Sequence, residues 1–362
     1  MVKTMWPKTL SKRLGIDHPI ILAPMAGGPS TPELVSAVCE AGALGSFGAG
    51  YLGPETIRAA IRDIRGRTSR PFGVNLFVPD PGARPPSDAE VQAASAALEP
   101  IRRELRLSGA PKLGPLPDFA AQLAVVMEER VPVFSFTFGL LDAAIVRELQ
   151  GLNMVVIGSA TTAEEARLLE ATGVDAIVAQ GAEAGGHRGT FAGASEQALI
   201  GTMALVPQLV DSVRVPIVAA GGIMDGRGVV AAIALGAAAV QVGTAFLASP
   251  ESGAPALHKK AMLARYGADP TRLTRAYSGK MVRGFSNRFM ADVEKAGAIL
   301  PYPYQNSLTG EIRRAAVQQE KPDFASMWAG QGAPLAVAKP AAEIVRDLVT
   351  QAEQVAAALS LG

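Results

Sequence analysis

The stretch Leu235-Gly-Ala-Ala-Ala-Val-Gln-Val-Gly243 combines a glycine, a short apolar run and a second glycine in one compact unit. Residues 41–48 and 172–181 repeat the same order. In each unit the first glycine can end a helix in the left-handed region, and the second lets the chain turn where the strand ends. Recurrence of such a unit is typical of a barrel assembled from repeated βα modules.

Outward from these units, short apolar runs alternate with amphipathic helical stretches, which is the pattern of βαβ units and a parallel sheet. Thr31 and Pro32 form a typical helix start, with threonine as the N-cap and proline at the first helical position. The sequence therefore predicts an α/β protein whose core is a (β/α)8 TIM barrel. Its eight strands are predicted at residues 19–24, 44–47, 72–77, 131–136, 154–158, 176–179, 217–220 and 239–242.

The chain of 362 residues is longer than a barrel alone requires, since such a barrel typically takes about 250 residues. We predict the barrel over residues 1–248, with an insertion at about 80–117 that has a Pro-rich start and a charged helical middle. Residues 249–335 are predicted to form a smaller, mainly helical additional domain on the substrate side. Residues 336–362 then contain a C-terminal helix, from about 341 to 359, that packs back on the barrel.

Composition excludes several classes of protein. The net charge is +1, and no basic stripe with interleaved aromatic residues suggests a nucleic-acid partner. The single cysteine, Cys39, rules out an intramolecular disulfide and a cysteine-rich metal site, so no metal is expected. No stretch approaches the length of a membrane span, and no apolar run precedes the first strand. We therefore expect a cytoplasmic monomer or homodimer that acts on small molecules and binds no membrane.

Glycine-rich turns follow the last two predicted strands. Barrel enzymes usually hold phosphate after strands seven and eight. Two glycines after the seventh strand can turn their N–H groups toward an anion, and the following helix is expected to offer its positive N-terminal end. Each turn could also be only a tight turn that needs glycine, but two on adjacent strands favour a phosphate cradle. Gly243 and Thr244 would add an N–H and a hydroxyl to it. The cofactor-binding residues predicted in the two turns are Gly221, Gly222, Gln241, Val242, Gly243 and Thr244.

The loop after the sixth strand, residues 180–189, holds four glycines and one histidine. The glycines would let this loop press against a flat ligand. His187 is the only histidine at the carboxyl end of a predicted strand, because His18 precedes the first strand and His258 falls in a helix expected at the surface. A neutral imidazole could remove a proton from a carbon acid and its cation could steady an anion. A purely structural histidine is the alternative.

Side-chain amides end three of the predicted strands: Asn75, Gln180 and Gln241. An amide both donates and accepts hydrogen bonds, as the edge of an isoalloxazine ring requires. Small residues and a soft methionine end the first strand, where they could lie along a ring system. These residues are Ala23, Pro24 and Met25.

Several blocks of the sequence resemble the nitronate monooxygenases, formerly called 2-nitropropane dioxygenases, and specifically their class I. The blocks keep their order and extend over nearly the whole chain, which makes the resemblance more specific than any single glycine motif. They are residues 21–32, 135–139, 179–191, 219–228, 241–247, 302–306 and 328–332.

The resemblance implies that the protein holds FMN noncovalently and oxidises alkyl nitronates, such as propionate 3-nitronate, with O2 to carbonyl compounds and nitrite. It implies that His187 is the catalytic histidine and that Tyr302 and Tyr304 form a substrate-side wall. Thr137 stands where some members have a second histidine, so substrate preference or rate could differ here. The flavin-contacting positions it implies are Asn75, Gln180, Gly185, Gly222 and residues 241–244.

Three other functions fit parts of the pattern. An NAD(P)H-dependent FMN reductase of quinones or enoyl thioesters would share the phosphate loops and the histidine. A nucleotide-converting barrel of the IMP dehydrogenase type needs a nucleophilic cysteine in an active-site loop, whereas Cys39 is predicted in a helix. A non-enzymatic flavin-binding protein would leave His187 and the tyrosines without a purpose. The sequence therefore favours the monooxygenase.

Overall fold

A computed structural model describes residues 6–264 and 268–360. The strands in these ranges are β1 (Ile20–Leu22), β2 (Gly45–Gly48), β3 (Phe72–Phe77), β4 (Val133–Thr137), β5 (Val155–Ala160), β6 (Ala176–Gln180), β7 (Gly186–His187), β8 (Ile217–Ala220), β9 (Ala239–Val242), β10 (Thr271–Thr274) and β11 (Val282–Phe285). Three short ranges lie outside the described residues: 1–5, 265–267 and 361–362. They belong to the predicted barrel, the predicted additional domain and the predicted C-terminal segment, respectively.

Eight of these strands form one parallel sheet, in the order β1-β9-β8-β6-β5-β4-β3-β2. The sheet closes on itself because Leu44, just before β2, pairs in parallel with Ile21 of β1. The predicted (β/α)8 barrel is confirmed, and each of the eight predicted strands overlaps a barrel strand.

Helices connect and surround the strands. The N-cap predicted at Thr31 is present, since its side chain accepts a hydrogen bond of 2.9 Å from the amide of Leu34. No helix in the described ranges is both long and apolar enough to cross a lipid bilayer. The helices are α1 (Thr9–Leu14), α2 (Pro32–Glu40), α3 (Pro54–Arg67), α4 (Asp88–Glu104), α5 (Phe119–Glu128), α6 (Ala143–Gly151), α7 (Ala163–Ala171), α8 (Thr202–Ser212), α9 (Gly226–Ala234), α10 (Ala256–Met262), α11 (Arg288–Ala296), α12 (Tyr304–Leu308), α13 (Gly310–Gln318) and α14 (Ala341–Ser360).

The amino-terminal end of the barrel is closed by apolar side chains. Leu10 and Leu14 of α1 belong to one buried cluster with inward residues of the strands, such as Val133, Ile157 and Val218. A second, larger cluster lies between the sheet and its surrounding helices. Because apolar packing fills one end of the barrel, a ligand cavity can form only at the opposite end, where the strands finish.

A separate hydrophobic cluster lies beyond the barrel and includes Phe289, Leu308 and Phe324. Helix α4, from the predicted insertion, adds Leu98 and Ile101 to this cluster. The insertion therefore packs with the region predicted as an additional domain, instead of forming an isolated loop on the barrel.

A three-stranded antiparallel sheet, in the order β10-β11-β7, joins this second cluster to the barrel. Strand β7 comes from the loop after β6, and its His187 pairs with Val282 of β11. The prediction of a mainly helical domain at residues 249–335 did not include strands β10 and β11. Strand β11 pairs with β7 and so fixes the backbone of His187.

The C-terminal helix α14 packs on α9 and α2. It buries Ile344, Val345 and Leu348 almost completely. A Cβ added to Gly226 at the start of α9 would lie 2.2 Å from the amide nitrogen of Ala352. Glycine is therefore required where the two helices come closest.

Candidate active site

A cavity of about 520 Å³ lies at the carboxyl ends of the barrel strands. Its volume is within the range of small-molecule sites, about 300–1,000 Å³. Residues of the second hydrophobic cluster, including Trp328, form its outer wall. Most of the residues predicted for the site lie in this lining: Ala23, Pro24, Met25, Asn75, Gln180, Gly185, His187, Gly221, Gly222, Gln241, Gly243 and Thr244.

Three predicted residues lie outside this lining. Val242 is buried between the sheet and its surrounding helices, and Tyr304 packs against the separate hydrophobic cluster beyond the barrel. Tyr302 borders the site, because its ring centroid lies 6.0 Å from that of His187 and 5.5 Å from that of Phe138. Of the two tyrosines, only Tyr302 is thus adjacent to the candidate catalytic group.

The two glycine turns after β8 and β9 leave free amide groups at the cavity wall. Gly221 and Gly222 adopt positive φ angles of 111° and 73°. A Cβ on Gly221 would lie 3.0 Å from Thr202 Oγ1, which accounts for the glycine there. In the described part of the chain, the amides of Gly221, Gly222 and Gly243 donate to no backbone or side-chain group. Such unpartnered amides suit an anion.

Helix α9 does not contribute to this cradle, so that part of the prediction was wrong. The amide of Gly226 donates to Gln351 Oε1 at 3.1 Å, and that of Arg227 donates to Asp225 Oδ1 at 3.0 Å. The side chain of Asp225 therefore caps the positive end of the helix, and α14 takes a further amide. The sequence suggested a free helix end because the partner in α14 lies 125 residues away.

The three side-chain amides at the strand ends have different surroundings. Asn75 donates from Nδ2 to Ser135 Oγ at 3.0 Å, and its side-chain oxygen Oδ1 has no partner in the described chain. Gln241 likewise has no side-chain partner there. Gln180 instead donates to the carbonyl oxygen of His187 at 2.9 Å and accepts from the amide of Gly189 at 2.7 Å. Gln180 thus shapes the loop that carries the histidine.

The imidazole of His187 is held by one hydrogen bond. Its Nε2 lies 2.8 Å from Ser278 Oγ, which itself donates to the carbonyl oxygen of Lys280 at 3.1 Å. Either atom of the pair Nε2 and Oγ can be the donor, depending on the tautomer of the imidazole. Nδ1 has no partner in the described chain.

Aromatic rings surround this imidazole, with centroids of Phe138 and Trp328 5.7 and 5.9 Å away. Burial, followed by the positive charges of Lys280 and Arg313, lowers the pKa of His187 to about 3. The ring is therefore neutral at physiological pH, and it can accept a proton.

His258 was expected in a surface helix, and that expectation was wrong. Its side chain is only 3% exposed and borders the cavity. Its Nε2 lies 3.0 Å from the carbonyl oxygen of Trp328. Burial lowers the pKa of His258 to about 4, although the hydrogen bond opposes the shift. Because helix α10 is short, its hydrophobic periodicity did not indicate which of its faces points inward.

The sequence did not predict the cavity residues Phe138 and Arg313, nor Ser278, which contacts His187 from outside the cavity lining. Phe138 adopts a positive φ of 81°, which is unusual for a residue with a bulky side chain, and Lys280 Nζ lies 4.7 Å from its ring centroid. No sequence signal marks this conformation. Ser278 and Arg313 reach the site from segments that follow the barrel, so only the tertiary fold brings them to His187.

The charged side chains that line the cavity are all positive. Among the described lining residues, Arg313 and Arg314 carry charge, and no aspartate or glutamate is present. No group of three or more potential metal ligands occurs in the described ranges either. Together with the free amides, this balance favours anionic ligands.

The fold also occurs in solved structures of known proteins. Nitroalkane oxidase from Streptomyces ansochromogenes superposes with a TM-score of 0.89 and 41% identity, over 95% of this chain and 98% of that one. FabK from Thermotoga maritima gives a TM-score of 0.74 and 31% identity, over 97% of both chains. The protein is an oxidoreductase enzyme built on a (β/α)8 barrel.

The family follows from the sequence comparisons. Residues 8–351 match the family described as Nitronate monooxygenase. A probable nitronate monooxygenase of Staphylococcus aureus (strain MSSA476) is 43% identical over 355 residues, which are 97% of this chain and 99% of the relative. The chain belongs to the nitronate monooxygenase family, as the sequence blocks indicated.

Proposed function

We propose that the protein holds FMN in this cavity and uses O2 to oxidise alkyl nitronates to carbonyl compounds and nitrite. One observation carries the proposal: a neutral imidazole faces a cavity whose walls offer free amides and positive charge but no carboxylate. Such a site suits an anionic cofactor and an anionic substrate. When bound, FMN would supply the electron transfer between substrate and O2.

The residues present fit a flavin mononucleotide. The amides of Gly221, Gly222 and Gly243 would hold the phosphate, and the hydroxyl of Thr244 would add a donor. Thr244 Oγ1 accepts from the amide of Gly330 at 3.0 Å, so its own proton is available. The unpartnered side-chain oxygen Oδ1 of Asn75 suits a ring N–H group.

His187 acts as a base in this proposal. We propose that Ser278, 2.8 Å away, accepts a hydrogen bond from Nε2 and orients the ring. In that tautomer Nδ1 has a lone pair and would accept the α-proton of a neutral nitroalkane. Phe138 and Trp328 limit the access of water to the ring, which keeps the imidazole neutral.

The test is a comparison of wild type with His187→Asn. We expect both purified proteins to show flavin absorption and to release nitrite from preformed alkyl nitronates. The variant should lose about 10²–10⁴-fold in turnover of neutral nitroalkanes, the contribution usual for a general base. Undiminished nitroalkane oxidation would refute the role of His187.

A second measurement separates the monooxygenase from a reductase. The flavin-loaded protein is mixed anaerobically with NADH or with an alkyl nitronate in a stopped-flow instrument. We expect the nitronate to change the flavin spectrum and NADH to leave it unchanged. Rapid bleaching by NADH would favour the NAD(P)H-dependent reductase, and a colourless protein that takes up no added FMN would contradict both.

A further inference from the structure

His258, in α10, is the hydrogen-bond donor to the backbone of Trp328. Its Nε2 lies 3.0 Å from the carbonyl oxygen of Trp328. A carbonyl oxygen can only accept, so Nε2 of His258 must carry a hydrogen. In the described part of the chain, no other group donates to this carbonyl. On its carbonyl side, the backbone of Trp328 is therefore held by one imidazole.

The indole of Trp328 lies against the candidate base. Its centroid is 5.9 Å from that of His187, and the two rings meet edge-on at 63°. A Cβ added to Gly284 of β11 would lie 2.8 Å from Cε3 of the indole, so this ring rests directly on the strand. Strand β11 also pairs with His187 through Val282. A shift of the Trp328 backbone would therefore change the contact between indole and imidazole, because β11 keeps His187 in place.

The segment that carries His258 is tied to the barrel. Shortly before α10, the carbonyl oxygen of Glu251 accepts a hydrogen bond of 2.6 Å from Thr31 Oγ1, at the start of α2. The imidazole of His258 also meets the ring of Phe285 edge-on, with 6.3 Å between centroids. Trp328 instead packs against the hydrophobic cluster beyond the barrel. The hydrogen bond therefore joins the outer wall of the cavity to a segment anchored on the barrel.

The charged and titratable groups that face His187 come from other segments. They are Lys280, Arg313 and Tyr302. Burial lowers the pKa of His187 more than the two positive charges do. Burial also lowers the pKa of His258 to about 4, so this side chain is neutral at physiological pH. A substitution of His258 therefore removes no charge, and its effect on His187 must come from water or from geometry.

We propose that His258 is a positioning residue: its hydrogen bond to Trp328 keeps the indole closed over His187 and excludes water from that imidazole. A carbonyl that loses its donor regains a partner by moving toward water or by admitting it. Water beside His187 would favour the protonated ring, because hydration stabilises the charged form. The inference rests on the proposed role of His187 as the base in nitroalkane oxidation.

The first test observes Trp328 directly and needs no turnover. The chain has two tryptophans, so labelling with 5-fluorotryptophan gives two fluorine NMR resonances, and Trp6→Phe identifies that of Trp328. In the flavin-loaded protein, we expect His258→Leu to increase the difference in this shift between H2O and D2O, because the indole becomes exposed to water. His258→Gln should keep the wild-type difference, since a glutamine amide also donates. An unchanged difference in His258→Leu, or equal increases in both variants, would overturn the proposal.

The second test is the pH profile of nitroalkane oxidation. In His258→Leu, we expect kcat/KM for 1-nitropropane at pH 5 to be at least about threefold below its value at pH 8, because hydration moves the pKa of His187 toward its ordinary 6.5. Wild type and His258→Gln should show no such loss. Because each protein is compared with itself at pH 8, a general loss of active enzyme does not affect the ratio. The same ratio in His258→Leu and wild type would contradict the proposal.

Met262 provides the matched control on the same helix. Its side chain is 1% exposed and belongs to the hydrophobic cluster beyond the barrel. Met262→Ala removes buried volume, which destabilises the fold, but keeps the hydrogen bond from His258. We expect this variant to keep the wild-type fluorine shifts and the wild-type pH ratio. If it changes both as much as His258→Leu does, the effect is a general loosening of α10 and the proposal fails.

The two tests separate this inference from the proposed function. If His258→Leu exposes Trp328 but the wild-type protein oxidises no nitroalkane, the positioning of Trp328 by His258 stands and the proposed function fails. If the wild-type protein oxidises nitroalkanes and Trp328 is equally shielded in His258→Leu, the positioning role is refuted and the function stands.

Discussion

His187 owes its chemistry to its surroundings, since the isolated side chain titrates near 6.5. Burial and two neighbouring cations lower its pKa to about 3. A histidine base that titrated near its ordinary value would lose half its active form at pH 6.5. His187 should remain unprotonated well below that pH.

This shift predicts the pH profile of the reaction. For a neutral nitroalkane, kcat/KM reports ionisations of the free enzyme, so we expect no loss of activity attributable to His187 between pH 8 and about pH 5. Steady-state nitrite release across this range measures it, with enzyme stability checked at each pH. An inflection near 6.5 would show that the base titrates normally and that the ring is open to water.

A substitution at Gly222 tests the proposed phosphate cradle. Gly222→Ala places a side chain on a backbone with φ of 73°, at an amide free to bind an anion. We expect FMN affinity to fall at least tenfold, measured by quenching of flavin fluorescence on binding. Gly193→Ala is the control, because φ there is 80° and a Cβ meets no atom within 4 Å. Its backbone strain is comparable but lies outside the cavity, so FMN affinity should not change.

At the scale of elements, the sequence predicted the buried strands well and the short strands poorly. Strands β3, β8 and β9 occur at their predicted bounds, because continuous apolar runs between helical stretches and glycine turns leave little alternative. Strand β7 has only two residues and exists because Val282 pairs with His187. No local period can reveal such a pairing.

The residues of the candidate site also differ in whether the sequence could predict them. His187 and the glycines after β8 and β9 could be predicted, since each follows a recognisable strand. Ser278, which contacts His187, and Arg313, which lines the cavity, could not, because both belong to segments outside the repeating βα pattern. The hydrogen bond between His187 and Ser278 spans 91 residues of sequence.

A substitution in helix α14 tests how this helix packs on the barrel. Leu348→Ala removes a side chain that is 1% exposed in the contact with the barrel helices. We expect the free energy of unfolding to fall by about 2–5 kcal/mol, measured by urea denaturation. Arg346→Ala, on the exposed face of the same helix, should change it by less than about 0.5 kcal/mol. Equal effects would mean that α14 does not pack as described.

For the whole molecule, the two histidines with a lowered pKa predict how stability depends on pH. The pKa of His258 is lowered to about 4 and that of His187 to about 3. Below pH 6.5 the unfolded chain binds protons that the folded chain does not, so stability should decrease as the pH falls from 6.5 toward 4.

His258→Gln isolates one of these contributions. Each such histidine adds up to about 1.4 kcal/mol per pH unit to the slope within this window. Urea midpoints measured at pH 7, 6, 5 and 4 should therefore give a shallower pH dependence in the variant. Parallel curves for wild type and variant would contradict the burial of His258.

The pairing of β7 with β11 has a mechanical consequence. His187 lies in a sheet with β11, and Phe285 of β11 belongs to the outer hydrophobic cluster. The position of the imidazole is therefore mechanically coupled to that cluster, so a displacement of the cluster relative to the barrel would also change the geometry around His187.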